Sequence, residues 1–213
     1  WVNIDGERLK KVYVENSFDI RKAKSKFSKT YEADVPYTFR YAVDEIHEMP
    51  EYKMRKWYWD MEWQQGGEHH NEITTIVMYD NYDEEYHQWV WFPNSTFHGT
   101  KNKYIFGSEK AMLKHFITTM IDKDPDMLIA WFGNFADIPK LLERCCALGI
   151  NPNRMSPINR VDGLKKTKNG YKYNRGEKGF SPIEQPIGGR ITLSLDMAFE
   201  RQWNDSQRGT LPS

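Results

Sequence analysis

Cysteine is nearly missing from this chain: of its 213 residues only Cys145 and Cys146 carry thiols, and they are neighbours. Adjacent cysteines cannot make the spaced pairs of a zinc knuckle, and a disulfide between them would be strained. No apolar run comes near the roughly 20 residues needed to cross a bilayer. The N-terminus also lacks the basic, then apolar, then small-residue order of a secretory signal. A soluble, intracellular, non-secreted chain with reduced thiols and no membrane partner is expected. Charge of one sign is not in excess either, since 30 Lys and Arg balance 30 Asp and Glu. This excludes a global basic field as the means of holding a polyanion and leaves only local patches for that work.

What the chain has in quantity is aromatic side chains, with eight Trp and twelve Tyr, suited to a rigid core and to stacking on bases. The stretch Lys56-Trp57-Tyr58-Trp59-Asp60-Met61-Glu62-Trp63 concentrates them around two acids. In a strand, alternate side chains share a face, so Asp60 and Glu62 would stand together opposite Trp59, Met61 and Trp63. A half-buried strand with a polar outer face explains the pattern. So does a cation site, because two carboxylates side by side call for a proton, a basic partner or a divalent metal.

Upstream, Lys11 to Glu15 and Phe39 to Val43 read as strands. Between them lies a basic segment with Arg21, Lys22, Lys24, Lys26 and Lys29, either a solvated face or part of a nucleic-acid track. Downstream, Ile73 to Tyr79 and His87 to Phe92 complete an antiparallel meander with the acidic strand. His69 and His70, in the Gly66-Gly67 loop before Ile73, point apart, which disfavours a joint metal site. A polar loop follows Pro93. Ser108 then caps a helix with Met112, Leu113, Phe116, Ile117 and Met120 on its apolar face, ended by Asp122 to Pro125. Met127 to Phe132 reads as a central strand buried on both faces. Asp137, two residues before Pro139, starts a helix that Gly149 closes, and helix capping by itself would account for this Asp. Asn169-Gly170 signals a hairpin carrying Lys165, Lys166, Lys168 and Lys172. Arg190 to Met197 alternates apolar Ile191, Leu193 and Leu195 with Thr192, Ser194 and Asp196, a half-buried strand, and the last ten residues read as a polar loop.

Taken in order, these segments resemble the family B DNA polymerases. Asp60-Met61-Glu62 looks like their first exonuclease motif. Asp124 to Trp131 followed by Asp137-Ile138-Pro139-Lys140-Leu141-Leu142-Glu143-Arg144 is similar to the segment carrying the second. Thr30 to Tyr37 with Phe39-Arg40-Tyr41 resembles the family's N-terminal region, and Gly189 to Asp196 its later exonuclease strand. The resemblance implies an α/β, ribonuclease-H-like mixed sheet flanked by helices, with a β-rich N-terminal accessory region. It implies residues 1–50 as part of a polymerase N-terminal domain and 51–213 as a 3′→5′ proofreading exonuclease domain, incomplete at its C-terminus.

It further implies that Asp60, Glu62 and Asp137 converge to hold two divalent ions, Mg²⁺ or Mn²⁺. Such ions, about 4 Å apart, activate the attacking water, stabilise the leaving 3′ oxygen and neutralise the phosphorane. Asp60 would bridge both ions, Glu62 hold the water-activating one and Asp137 support the second. The implied partners are the 3′ end of single-stranded DNA, primer-template DNA and a polymerase domain encoded downstream. Where the family has an Asn five residues before the second-motif Asp and an aromatic just before it, this chain has Phe132 and Ala136. Asn134 and Phe135 are the candidates to contact the terminal nucleotide in their place, and the four hairpin lysines the candidates for phosphate contact. The third motif, a Tyr and an Asp four apart, would lie beyond Ser213, and Asp196 is out of place to substitute for it. A weak or inactive fragment is therefore expected. The alternative is a non-catalytic DNA-binding module of the same fold.

Overall fold

The computed structural model describes residues 2–3, 5–16, 19–48, 51–92, 101–174 and 185–206. Residues 93–100 of the loop expected after Pro93 lie outside them, as do residues 207–213, and the rest of that loop is not all loop, since Lys103–Phe106 is a strand. The chain divides into two compact units, Trp1–Tyr52 and Lys53–Ser213.

Neither strand expected in the first unit forms. Residues 11–14 have no regular structure, and Phe39 to Val43 lie inside a helix. The elements here are α1 (Asp19–Lys24) and α2 (Tyr37–Glu45). Pro36, with φ −56°, precedes the first turn of α2, and Arg40 clasps Asp44 one turn on at 2.7 Å while also pairing with Glu32. Phe39 and Val43 are 66% and 75% exposed, so no buried sheet face rewards their β-propensity and the local helix signals prevail.

The second unit is built on a six-stranded mixed sheet in the order β4-β3-β2-β1-β5-β8. The meander of β1 (Lys56–Trp63), β2 (Ile73–Asp80) and β3 (Glu85–Trp91) is antiparallel, as its alternating pattern predicts. Three short strands extend it in parallel: β4 (Lys103–Phe106) on β3, β5 (Met127–Ala130) on β1, and β8 (Ile191–Ser194) on β5. Trp57, Trp59 and Met61 of β1 are buried and alternate with exposed Tyr58, Asp60 and Glu62. The buried side meets α3 (Glu109–Lys123), whose Phe116 ring lies 6.0 Å from that of Trp57 and 6.1 Å from that of Trp59. Ser108 caps α3 by accepting from the Ala111 amide at 3.3 Å. The next helix, α4 (Ile138–Ala147), is closed by Gly149 at φ +68°, backbone that favours glycine.

Two buried carboxylates tie these layers together. Glu109, at the start of α3, accepts the Ile73 amide of β2 at 2.8 Å and the Arg144 guanidinium of α4. Asp80, at the end of β2, is fully buried and accepts from Arg55, from the Trp57 indole at 3.0 Å and from the Tyr82 amide at 2.9 Å. The entrance of β1 is thereby fixed to the turn after β2.

Two further expectations are corrected. Strand β5 ends at Ala130, leaving Trp131 and Phe132 about half exposed. There the Trp131 carbonyl is taken by the Asp196 amide at 3.1 Å and the Ser194 hydroxyl at 3.3 Å, and the chain turns away. The last strand stops at Ser194 and continues as α5 (Leu195–Ser206), so Leu195 and Asp196 are helical and the polar loop does not begin at residue 204. Its buried face is also the polar one: Thr192 and Ser194 are 2% exposed, Ile191 45%. Thr192 is satisfied by Gln185, whose side chain accepts its amide at 2.8 Å. Hydrogen-bond partners thus decide the facing of this short edge strand.

Candidate active site

Asp60 and Glu62 occupy the outer face of β1, opposite Val77 and Thr75 of β2. Buried Trp59 and Met61 anchor the strand from behind, so the two carboxylates are held side by side by the pleat.

The third acid arrives differently from expectation. Between β5 and α4, residues Gly133–Asp137 form a π-helical turn, a geometry that recurs at functional sites. Gly133 permits it: a Cβ there would meet Ala130 Cβ at 3.3 Å and the Leu193 carbonyl oxygen at 3.4 Å. The turn runs straight into α4, and the Ile138 amide is already bonded to the Gly133 carbonyl. Asp137 stands at the N-cap position yet makes no capping bond, because the π turn supplies acceptors of its own. Capping therefore does not account for this Asp.

The Asp137 side chain is 4% exposed. Its pKa is pushed up to about 6, first by burial, then by the negative charge of Asp60 and, less strongly, of Glu62, against a lowering bond from its own backbone. The charges of Asp60 and Glu62 thus reach Asp137. Among the described residues no group of three acidic, histidine or cysteine side chains is already drawn together as a metal cage. The donor set nevertheless fits hard divalent cations: oxygen ligands only, one of them buried against two like charges that a cation would relieve.

This carries a prediction for the metal-free chain. Asp137 titrates near 6 when folded against an ordinary 3.8, so the folded state binds this proton more tightly than the unfolded one. Stability contributed through this group is retained below pH 3.8 and lost as pH rises through 6, by about 3 kcal/mol in all. In EDTA, Asp137→Asn should therefore raise the urea midpoint at pH 8 and leave it nearly unchanged at pH 3.5. Equal effects at both pH values would refute the shift.

Of the proposed DNA contacts, Asn134 is buried within the π turn, its backbone N–H donating to Ser194 Oγ at 3.4 Å. Phe135 is exposed, as are Trp131 and Phe132, and Trp131 lies edge-on to Phe132 at 6.4 Å. The four lysines are exposed on the hairpin of β6 (Leu164–Thr167) and β7 (Gly170–Tyr173), with Lys165 directly opposite Lys172. This hairpin reaches α4 where the Tyr173 backbone bonds Cys146, roughly 13 Å along the helix from Asp137 at 1.5 Å per residue. Sequence reasoning missed Ser194, which braces the π turn, and Lys140. The Lys140 amine, one turn past Asp137, donates to Asn71 at 2.6 Å and lies 5.2 Å from the Trp63 ring centre. Its only signal was the three-residue spacing from Asp137, which a solvated lysine shares.

A mixed sheet flanked by helices, with acids on its first strand and a further acid at the helix start after β5, defines a ribonuclease-H-like fold. A family model described as DNA polymerase family B, exonuclease domain, matches residues 58–193, and the chain belongs to that family. Among its relatives, a DNA polymerase of Thermococcus kodakarensis is 29% identical over 125 residues, 57% of this chain and 7% of that one. A DNA polymerase of Thermococcus aggregans is 28% identical over 124 residues, covering 56% and 6%. One of Pyrococcus glycovorans is 26% identical over 150 residues, covering 66% and 19%. The matched segments thus span less than a fifth of these curated relatives.

Proposed function

We propose that this chain is the 3′→5′ proofreading exonuclease region of a DNA polymerase, removing the 3′-terminal nucleotide of single-stranded DNA by two-metal-ion hydrolysis. The observation that carries this reading is buried Asp137, whose pKa is raised first by burial and then by the charges of Asp60 and Glu62. These three side chains would hold Mg²⁺ or Mn²⁺. Two such ions, when bound, supply a more acidic attacking water and positive charge facing the leaving 3′ oxygen. The chain's own part is to present the carboxylates, with Asp60 and Glu62 fixed by the strand and Asp137 by the π turn. Exposed Phe135 would stack on the terminal base, while Lys165, Lys166, Lys168 and Lys172 would meet the backbone of primer-template DNA. Residues 1–50 would belong to a polymerase N-terminal domain and 51–213 to the exonuclease, working beside a polymerase domain. The chain alone is expected to be slow.

The exposed hairpin lysines also fit a second reading, a module that holds DNA without cutting it. Thermal unfolding in increasing Mn²⁺ separates the two. At 100-fold excess over its dissociation constant a bound ion stabilises by about 2.7 kcal/mol, and Asp60→Ala should abolish that gain. A melting temperature indifferent to Mn²⁺ would leave only the binding module.

A further inference from the structure

The outer face of the sheet carries a feature that the three carboxylates do not use. Tyr58 of β1 is directly opposite Tyr79 of β2, and Tyr79 is directly opposite Tyr86 of β3. Directly opposed residues share a face, and on β1 this is the face of Asp60 and Glu62. The three rings form a row across the meander with centroids 6.3 and 5.0 Å apart, tilted by 46° and 49°. The row begins two residues from Asp60 and ends at the strand paired with β4.

Cross-strand aromatic pairs stabilise sheets, but this row is incompletely spent on that task. Tyr58 is 43% exposed and Tyr86 71%, so ring surface is left in water on the side where the acids stand. Lys56 shares the face by the alternation of β1, and Lys103 by its pairing with Gln88 of β3. Aromatic rings flanked by positive charge suit an unpaired nucleic-acid strand, since every base offers a π face and each phosphate a negative charge. Continuity with the carboxylates fixes the polarity: the 3′ end lies at Asp60 and Glu62, and upstream nucleotides cross the sheet toward its edge.

We propose that Tyr58, Tyr79 and Tyr86 form a stacking track for single-stranded DNA upstream of the 3′ end. This rests on the exonuclease reading for its direction, and it is tested by binding so that the two can fail separately. Anisotropy of a 5′-fluorescein-labelled 12-nucleotide oligothymidylate is followed with the full chain in Ca²⁺, alongside a labelled trinucleotide. Tyr58→Ala and Tyr86→Ala should each weaken 12-mer binding on the order of 10-fold. Tyr86→Phe should restore it, and Tyr86→Ala should leave trinucleotide binding unchanged, the shorter strand not reaching β3. Circular dichroism and thermal melts confirm the fold of each variant. Unchanged 12-mer affinity in both alanine variants overturns the proposal, as does absence of 12-mer binding by the parent chain. So does a Tyr86→Ala variant that only dissociates a self-associated chain, which would make the row a protein contact. Loss of hydrolysis in Asp60→Ala, read separately, bears on the exonuclease alone.

Discussion

Asp60→Ala is expected to take the slow Mn²⁺-dependent degradation of single-stranded DNA to background, because members of a catalytic unit fail together. Asp60 lies on the exposed face of β1 with buried Trp59 and Met61 on either side, so truncating it removes a charge without opening a cavity. Among the causes of the raised Asp137 pKa, its charge acts more strongly than that of Glu62. Asp60 is thus the carboxylate most closely coupled to Asp137, and its removal leaves two acids that are less coupled. Single-turnover conditions with protein in excess make a slow reaction measurable. Groups acting as a unit are not additive, so Asp60→Ala/Glu62→Ala should be no slower than Asp60→Ala. Parent-like hydrolysis by Asp60→Ala would place the chemistry elsewhere, and losses that multiply in the double variant would mean that the acids work independently.

How far the sequence made this visible depended on whether each signal was local. The acids and tryptophans of β1 alternate because one side faces a core, so eight residues were enough to place Asp60 and Glu62. Ser108 before an apolar helix and Gly149 after another are likewise read within one turn. By contrast, Phe39 to Val43 has strand-forming residues without a sheet to bury them, and the Arg40–Asp44 pair within α2 tipped it to helix. Trp131 and Phe132 prolong an apolar run, but nothing in the run says that the Trp131 carbonyl will be claimed by Ser194 and Asp196, more than sixty residues on. The inverted facing of β8 has the same origin, since the Gln185 side chain is what makes a buried Thr192 tolerable. Asp137 was identified from its family-like surroundings, whereas its freedom from capping arises from a π turn stabilised by tertiary contacts at Gly133 and Ser194.

Asp80→Ala is expected to destabilise the chain by about 3–5 kcal/mol, the range found when one partner of a buried ion pair is removed. Asp80 is 0% exposed while Arg55 keeps only a minor exposed fraction. Deletion would strand the guanidinium against Asp83 and the Lys123 carbonyl, and leave the Trp57 indole N–H without its acceptor. Asp80→Asn keeps an acceptor for that indole and should cost less. The pH dependence runs opposite to that of Asp137. Burial raises the Asp80 pKa, but hydrogen bonds from Arg55, the Tyr82 amide and Trp57, together with the Arg55 charge, outweigh it and hold the group below its ordinary 3.8. Its stabilisation is therefore complete above pH 3.8 and lost as pH falls through the folded value. Urea midpoints of the parent and Asp80→Ala should differ widely at pH 7 and draw together under strong acid. A difference below about 1 kcal/mol at pH 7 would mean that Asp83 takes over the Arg55 charge, a surface pair of that size sufficing. Because Arg55 directly precedes β1 and its backbone also binds Asp126 at the mouth of β5, loosening this latch frees the register of β1, which carries Asp60 and Glu62, against β5, which leads into the turn carrying Asp137. Asp80→Ala should accordingly weaken Mn²⁺-linked stabilisation while leaving all three carboxylates in place.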